Sequence, residues 1–221
     1  MTNRQSFRDH LRAIPSLVGT PPAFDPSQHP STPQELFLDW FRFAERANIQ
    51  EPHAMTVSTV GADGVPDSRM LVLKDLTAGG AWCFAGRTDS TKGRELRENP
   101  AAAMLFYWRE QVRSVRIRGR ILQGSTDEAR GDFIARHTGA RAVALSGQQG
   151  APLAEAATLA HDVDVATKRL AADAELVPEE WRVWKLEATE VEFWQGSNSR
   201  LHTRLRYQRG PSGWNASLLR P

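Results

Sequence analysis

Cysteine is nearly absent. Cys83 is the single one among 221 residues, so no disulfide can form within the chain and no metal site can be built from several cysteines. Stability must come from packing or from a partner subunit. Long apolar runs are missing as well: no stretch approaches the roughly 20 residues that cross a bilayer, and the opening MTNRQSFRDHLR lacks the apolar centre of a signal peptide. A cytoplasmic protein without a membrane partner is expected. Lysine is scarce too, since only Lys74, Lys92, Lys168 and Lys185 contribute to the 28 basic residues and the others are arginines. Arginine offers a planar fork for phosphate or carboxylate, but GC-rich codon usage produces the same excess, so only the placement of particular arginines is informative. The formal net charge of +2 is too small to argue for nucleic acid. There is no Walker loop, no GxGxxG and, among six histidines, no HExxH spacing, and no metal site is expected.

What is present is a globular composition, 40% hydrophobic and 24% charged, long enough to bury a core. Prolines at 15, 21, 22, 26 and 30 mark residues 1–30 as an extended arm, which leaves 31–221 as one domain. Thr32, with Pro33 after it and Glu35 three residues on, forms a capping box for a helix whose buried face is Leu36, Trp40, Phe43, Ala44 and Ala47. From Ala54 the hydrophobic period falls from about four to two. AMTVSTV, the turn GADG and a run from Pro66 to Lys74 read as a hairpin. Further strands are expected at 81–85, 102–108, 114–122, 181–194, 201–208 and 214–219, with helices at 91–98, 127–136 and 153–172. Many short strands joined by turns point to an antiparallel barrel with helices outside it.

Three segments carry candidate chemistry. In VEFWQGSNSRLHTRLRY, a strand over 200–207 would project Arg200, His202, Arg204 and Arg206 from one face within roughly 20 Å, and such a row of cations calls for an anion or for facing glutamates. In TDSTKGREL, hydroxyl and capping residues precede a helix start that holds Lys92, an arrangement able to hold a phosphate and equally that of a plain capped helix. In SRMLVLK, Arg69 and Lys74 have opposite parity in a regular strand, so one faces inward and needs a partner, unless this is an edge strand with exposed ends. Arg116, Arg118 and Arg120 alternate with Val115, Ile117 and Gly119, which fits a half-exposed barrel strand better than a nucleic-acid stripe.

In this order SRMLVLK, DSTKGRELRENP, LFYW with VRIRGR, and VEFWQGSNSRLHTR resemble the successive motifs of the pyridoxamine 5'-phosphate oxidases, over about residue 33 to Pro221. The resemblance implies a mainly β protein with peripheral helices: a six-stranded antiparallel split barrel, homodimeric, with FMN at the subunit interface. It implies flavin contacts from Arg69, Met70, Leu71, Val72, Lys74, Thr91, Lys92, Gln148, Trp194 and Arg204. It implies substrate contacts from Lys74, Arg136, Arg200 and His202, the last two catalytic. The implied reaction passes hydride from a small substrate to FMN, with molecular oxygen as oxidant and peroxide as product. The chain departs from the family pattern at Ala85, Gly86, Thr91, Ser114 and Gln149 around the flavin, and at Asp132 and Ala140 around the substrate phosphate, where a carboxylate repels. REQVRS, SGQQGAPLAEA and RLHTRLRYQRGPSGW are similar to the flavin oxidases of phenazine biosynthesis, whereas Lys74 favours the vitamin-B6 enzymes. The rival from another class is a non-catalytic split barrel that binds flavin or haem.

Overall fold

The computed structural model describes residues 6–221. In chain order the elements are α1 (Phe7–Ala13), α2 (Pro33–Arg46), β1 (Ala54–Val60), β2 (Pro66–Val72), β3 (Asp75–Leu76), β4 (Trp82–Arg87), α3 (Thr91–Glu98) and β5 (Ala101–Trp108). They continue with β6 (Arg113–Gln123), α4 (Thr126–Ile134), α5 (Thr138–Ser146), α6 (Ala156–Ala172), β7 (Trp181–Gln195), β8 (Thr203–Gly210) and β9 (Gly213–Leu218). The sheet runs in the order β2-β1-β5-β6-β7-β4-β3, and β8 pairs with both β7 and β9. Nine strands among the described residues therefore exceed the six expected. The two-residue β3 and the C-terminal hairpin of β8 and β9 are the three additional strands.

The first helix corrects the expectation of an extended arm. The Ser6 hydroxyl accepts the Asp9 N–H at 3.2 Å and caps α1, which buries none of its residues. The capping box of α2 forms as expected at Thr32 and Glu35. Its buried face differs: Pro33, Leu36, Phe37, Trp40 and Ala44 are buried, whereas Phe43 and Ala47 are exposed. Phe37 sits one position after Leu36 and beside the stripe read from the sequence, because the face that packs is wider than a strict 3.6-residue line. Neither β3 nor α5 was foreseen. In β6, Val115, Ile117 and Ile121 are buried while Arg116 and Arg118 are exposed, the half-exposed strand expected.

The chain forms two compact units. One comprises the segment up to Pro52, Leu105–Arg116 and Glu190–Pro221; the other comprises His53–Met104 and Ile117–Thr189. In the first, Phe37 meets Phe106 edge-on at 5.0 Å and Trp40 meets Phe193 at 5.2 Å. The Arg113 guanidinium lies 4.0 Å from the Trp40 ring centroid and its Nε donates to Gln195 Oε1 at 2.7 Å. In the second, Phe133 packs edge-on against Trp181 at 5.4 Å beside Ala129, and Ala142, Ala166 and Leu170 join α5 to α6. Burial of such large apolar side chains, at about 25 cal/mol per Å², is the main favourable term.

Candidate functional site

The second unit contains a cavity of about 820 Å³, within the range of small-molecule and cofactor sites. One wall is built at the start of α3. Ser90 caps the helix, its hydroxyl accepting the Gly93 N–H at 3.3 Å, and Lys92 follows in the first turn. Lys92 is only 5% exposed; its Nζ donates to Ser90 Oγ at 3.2 Å and to Gln149 Oε1 at 2.9 Å. Neither partner is charged. Desolvation, helped by the nearby Arg69 charge, lowers the lysine pKa to about 8, with Asp89 opposing. Two glycines make the arrangement possible. A Cβ on Gly86 would stand 2.7 Å from Lys92 Cε, and one on Gly93 would stand 2.4 Å from the Arg87 carbonyl oxygen. The loop after α5 completes this wall, with Gly147, Gln148 and Gly150 all in the left-handed region at φ 80°, 54° and 87°, which is uncommon for a residue such as Gln148.

A second wall is lined by Lys74, Arg136 and Trp181, far apart in sequence, and Asp132 ties the first and last of them together. Asp132 on α4 accepts from Trp181 Nε1 at 2.9 Å and lies 3.4 Å from Lys74 Nζ. Arg136 stacks its guanidinium 4.5 Å from the Trp181 ring centroid, and its buried Nε has no hydrogen-bond partner. Burial lowers the Arg136 pKa, with the Asp132 charge opposing. Arg87 also lines the cavity, but its charge is spent: Asp89, Glu180 and the Ala144 carbonyl hold it.

A separate recess of about 490 Å³ lies in the first unit, where Trp194, Arg204, Arg116 and Glu192 meet. Glu192 accepts from Arg204 Nε at 2.7 Å and pairs with Arg116, and this bond raises the Arg204 pKa. The expected strand over 200–207 begins only at Thr203. Ser199 N–H donates to Ser197 Oγ, Leu201 N–H to Ser199 Oγ, and Arg200 takes a φ of 65°; these local bonds compete with the ladder. Arg200 therefore leaves the arginine row and donates to Ser16 Oγ at 3.1 Å. His202 turns its ring to 5.2 Å from Trp194, with Nδ1 accepting the Ser197 N–H at 3.0 Å, so the neutral ring carries its proton on Nε2. Arg206 reaches Ser217 Oγ at 3.4 Å.

Of the residues named from the sequence, Leu71, Val72, Lys74, Lys92, Arg136 and Gln148 line the large cavity together. Arg69 is held instead by Asp67, Glu95 and Thr59, Met70 is exposed, and the Thr91 hydroxyl accepts from Arg94 at 3.3 Å. Trp194 and Arg204 belong to the recess of the first unit. Sequence reasoning missed Arg87 and Trp181. The spacing Arg87-x-Asp89 directly before the capped helix was a usable signal for the first; nothing near Trp181 pointed to a cavity.

The cavity suits a ligand with an anionic group. It is large enough, one wall offers a buried amine held only by neutral groups, and the other offers an unpaired buried Nε–H. Residues 43–195 match the pyridoxamine 5'-phosphate oxidase family, and 181–221 match the pyridoxine 5'-phosphate oxidase C-terminal dimerisation region. The chain belongs to the pyridoxamine 5'-phosphate oxidase family. It is 42% identical over 189 residues to a pyridoxine/pyridoxamine 5'-phosphate oxidase of Burkholderia vietnamiensis, covering 84% of this chain and 87% of that one. The crystal structure of PhzG from Burkholderia lata 383 in complex with tetrahydrophenazine-1-carboxylic acid superposes with a TM-score of 0.86 at 28% identity, over 92% of this chain and all of that one. A pyridoxamine 5'-phosphate oxidase-related, FMN binding protein of Nostoc punctiforme shares the fold, with a TM-score of 0.71 at 16% identity over 86% of this chain and 98% of that one.

The family member described here is thus an FMN-dependent oxidoreductase with a split-barrel fold, mainly β with peripheral helices. Its C-terminal dimerisation region supports a homodimer. Among the described residues no helix is long and apolar enough to cross a membrane, and no cluster of His, Cys, Asp or Glu is arranged to hold a metal.

Proposed function

We propose that this protein is an oxidase that removes hydride from a small anionic ring compound, a vitamin-B6 phosphate or a reduced aromatic acid of the phenazine type. When bound, FMN supplies the redox chemistry: it takes the hydride and passes two electrons to oxygen, which with two protons leaves as hydrogen peroxide. The observation that carries this reading is the buried Lys92 amine at the capped start of α3, facing a cavity of about 820 Å³.

Lys92, with Gln148 and Gln149 on the facing loop, holds the flavin phosphate; the free N–H groups of the helix start add to the attraction. Leu71 and Val72 give the ring system an apolar wall, and the second wall with Lys74 and Arg136 receives the anionic end of the substrate. A second copy of the chain supplies Trp194 and Arg204 to the flavin and Arg200 and His202 to the substrate. In this arrangement His202 presents Nε2–H outward as a donor and Arg200 orients the substrate's polar groups. Aligning the substrate over the ring and keeping water away account for most of what the protein contributes.

The test is direct. Purified protein should be yellow, release FMN on denaturation and form peroxide when pyridoxine 5'-phosphate or a dihydrophenazine carboxylate is added in air. Colourless protein that takes up no FMN on reconstitution would sink the proposal.

A further inference from the structure

We propose that Asp132 sets the substrate specificity of this site, by cancelling the charge of Lys74 and so selecting a flat apolar substrate with one carboxylate over a dianionic phosphate ester. The inference rests on the oxidase reading above. Four side chains carry it. Lys74 and Asp132 are 3.4 Å apart and largely shielded, their side chains 30% and 14% exposed. Asp132 is fixed in that position by the Trp181 indole N–H at 2.9 Å. The Arg136 guanidinium lies over the same Trp181 ring, 4.5 Å from its centroid.

The electrostatic balance follows from these contacts. Lys92 stands at the α3 wall and is assigned to the cofactor, while Arg87 is neutralised by Asp89 and Glu180. At the second wall Lys74 and Asp132 cancel, which leaves Arg136 as the cation without a carboxylate in hydrogen-bonding contact. Asp162, which lines the cavity, moves the balance the same way, while Asp132 acts through its contacts with the lining residues Lys74 and Trp181. A monocarboxylate matches one guanidinium in charge and in its two-pronged geometry. A phosphate ester with nearly two negative charges is matched only in part and must approach the Asp132 carboxylate, which is repulsive at low local dielectric. Val143, Pro152, Leu153 and Leu159 add apolar surface to the lining, which suits a hydrophobic ring system.

The experiment compares binding of phenazine-1-carboxylate and pyridoxine 5'-phosphate to the FMN-loaded protein under anaerobic conditions, with Asp132→Asn and Asp132→Glu alongside. Wild type should bind the carboxylate about tenfold more tightly or better. Asp132→Asn, which keeps the acceptor for Trp181 and removes the charge, should strengthen phosphate-ester binding by about tenfold and change the carboxylate little. Asp132→Glu should keep the wild-type ratio. A wild-type preference for the phosphate ester, or an unchanged ratio in Asp132→Asn, would overturn the assignment. FMN content and peroxide formation in the same preparations separate the two ideas: their absence counts against the oxidase reading, whereas an unaltered binding ratio counts against Asp132 alone. Should Asp132→Asn not fold, Asp132→Ser gives the same comparison.

Discussion

Lys92 carries its charge where water scarcely reaches, and that has a consequence for stability. Its pKa in the folded protein is lowered to about 8 by desolvation, while in the unfolded chain it returns to the ordinary lysine range near 10.4. Between these values the unfolded chain binds a proton that the folded chain does not, so stability rises with pH across that window; below about 8 the cost of burying the charge is fully present. Cys83, whose thiol is pushed up to about 11 by burial, acts in the opposite sense as pH rises through 9 to 11. The Lys92 contribution is therefore read as the difference between wild type and Lys92→Met in urea unfolding of the FMN-free protein. We expect wild type to gain on Lys92→Met between pH 8 and 10.5, and FMN to flatten the gain by holding the amine charged. The same substitution should weaken FMN binding roughly ten- to a hundredfold, measured by flavin fluorescence. Arg200 is the contrasting residue. It is exposed and its side chain donates to Ser16 Oγ, so Arg200→Ala should raise KM or lower kcat while leaving FMN content unchanged; equal loss of both would refute its placement at the substrate.

The same cavity depends on how closely α3 approaches the end of β4. A methyl on Gly93 would lie 2.4 and 2.5 Å from the backbone oxygens of Arg87 and Thr88, atoms that cannot move without shifting the chain. Gly93→Ala should cost about 2–4 kcal/mol and reduce FMN occupancy. Thr32→Ala is the control, since it removes the capping box of α2, which contributes no residue to this cavity; it should cost about 1 kcal/mol in urea unfolding with FMN retained. What the sequence made legible follows the same division. Helix caps and period-two alternation are local patterns, and they located α2, α3, β1, β2, β5 and β6 to within a residue or two. By contrast α5 has a histidine cap and no strong period, β3 spans two residues, and α1 has a serine cap but buries nothing, so none shows the apolar period that marks an element. The site divides likewise. Lys92 was visible because its cap is contiguous with it. The Asp132–Trp181 bond joins residues 49 positions apart, and no local rule reports that meeting. The alternation over 200–207 misled because it carried no information on the serine-rich turn that holds Arg200 and His202 outside the strand.

Two copies of the chain are needed if Trp194 and Arg204 serve a flavin seated on the Lys92 cavity of a partner, and that requirement has a specific test. In the first unit Arg204 is already paired with Glu192, whose side chain is 7% exposed and also holds Arg116, while Arg116 lies 3.5 Å from Glu190 as well; two guanidiniums and two carboxylates balance there, so an incoming anion competes with Glu192 for Arg204. Consider a mixed dimer of one Lys92→Met chain and one Arg204→Ala chain. If each flavin takes Lys92 from one copy and Arg204 from the other, one of the two sites carries both lesions and the other carries neither. Each homodimer instead has a single lesion in every site. The tagged and purified mixed dimer should then bind close to half the wild-type FMN with wild-type affinity, whereas both parent homodimers bind weakly. If both residues acted on a flavin within their own chain, no intact site would form and the tight fraction would vanish. Flavin titration of the mixed dimer therefore decides whether the dimerisation region completes the site or only holds two independent ones together.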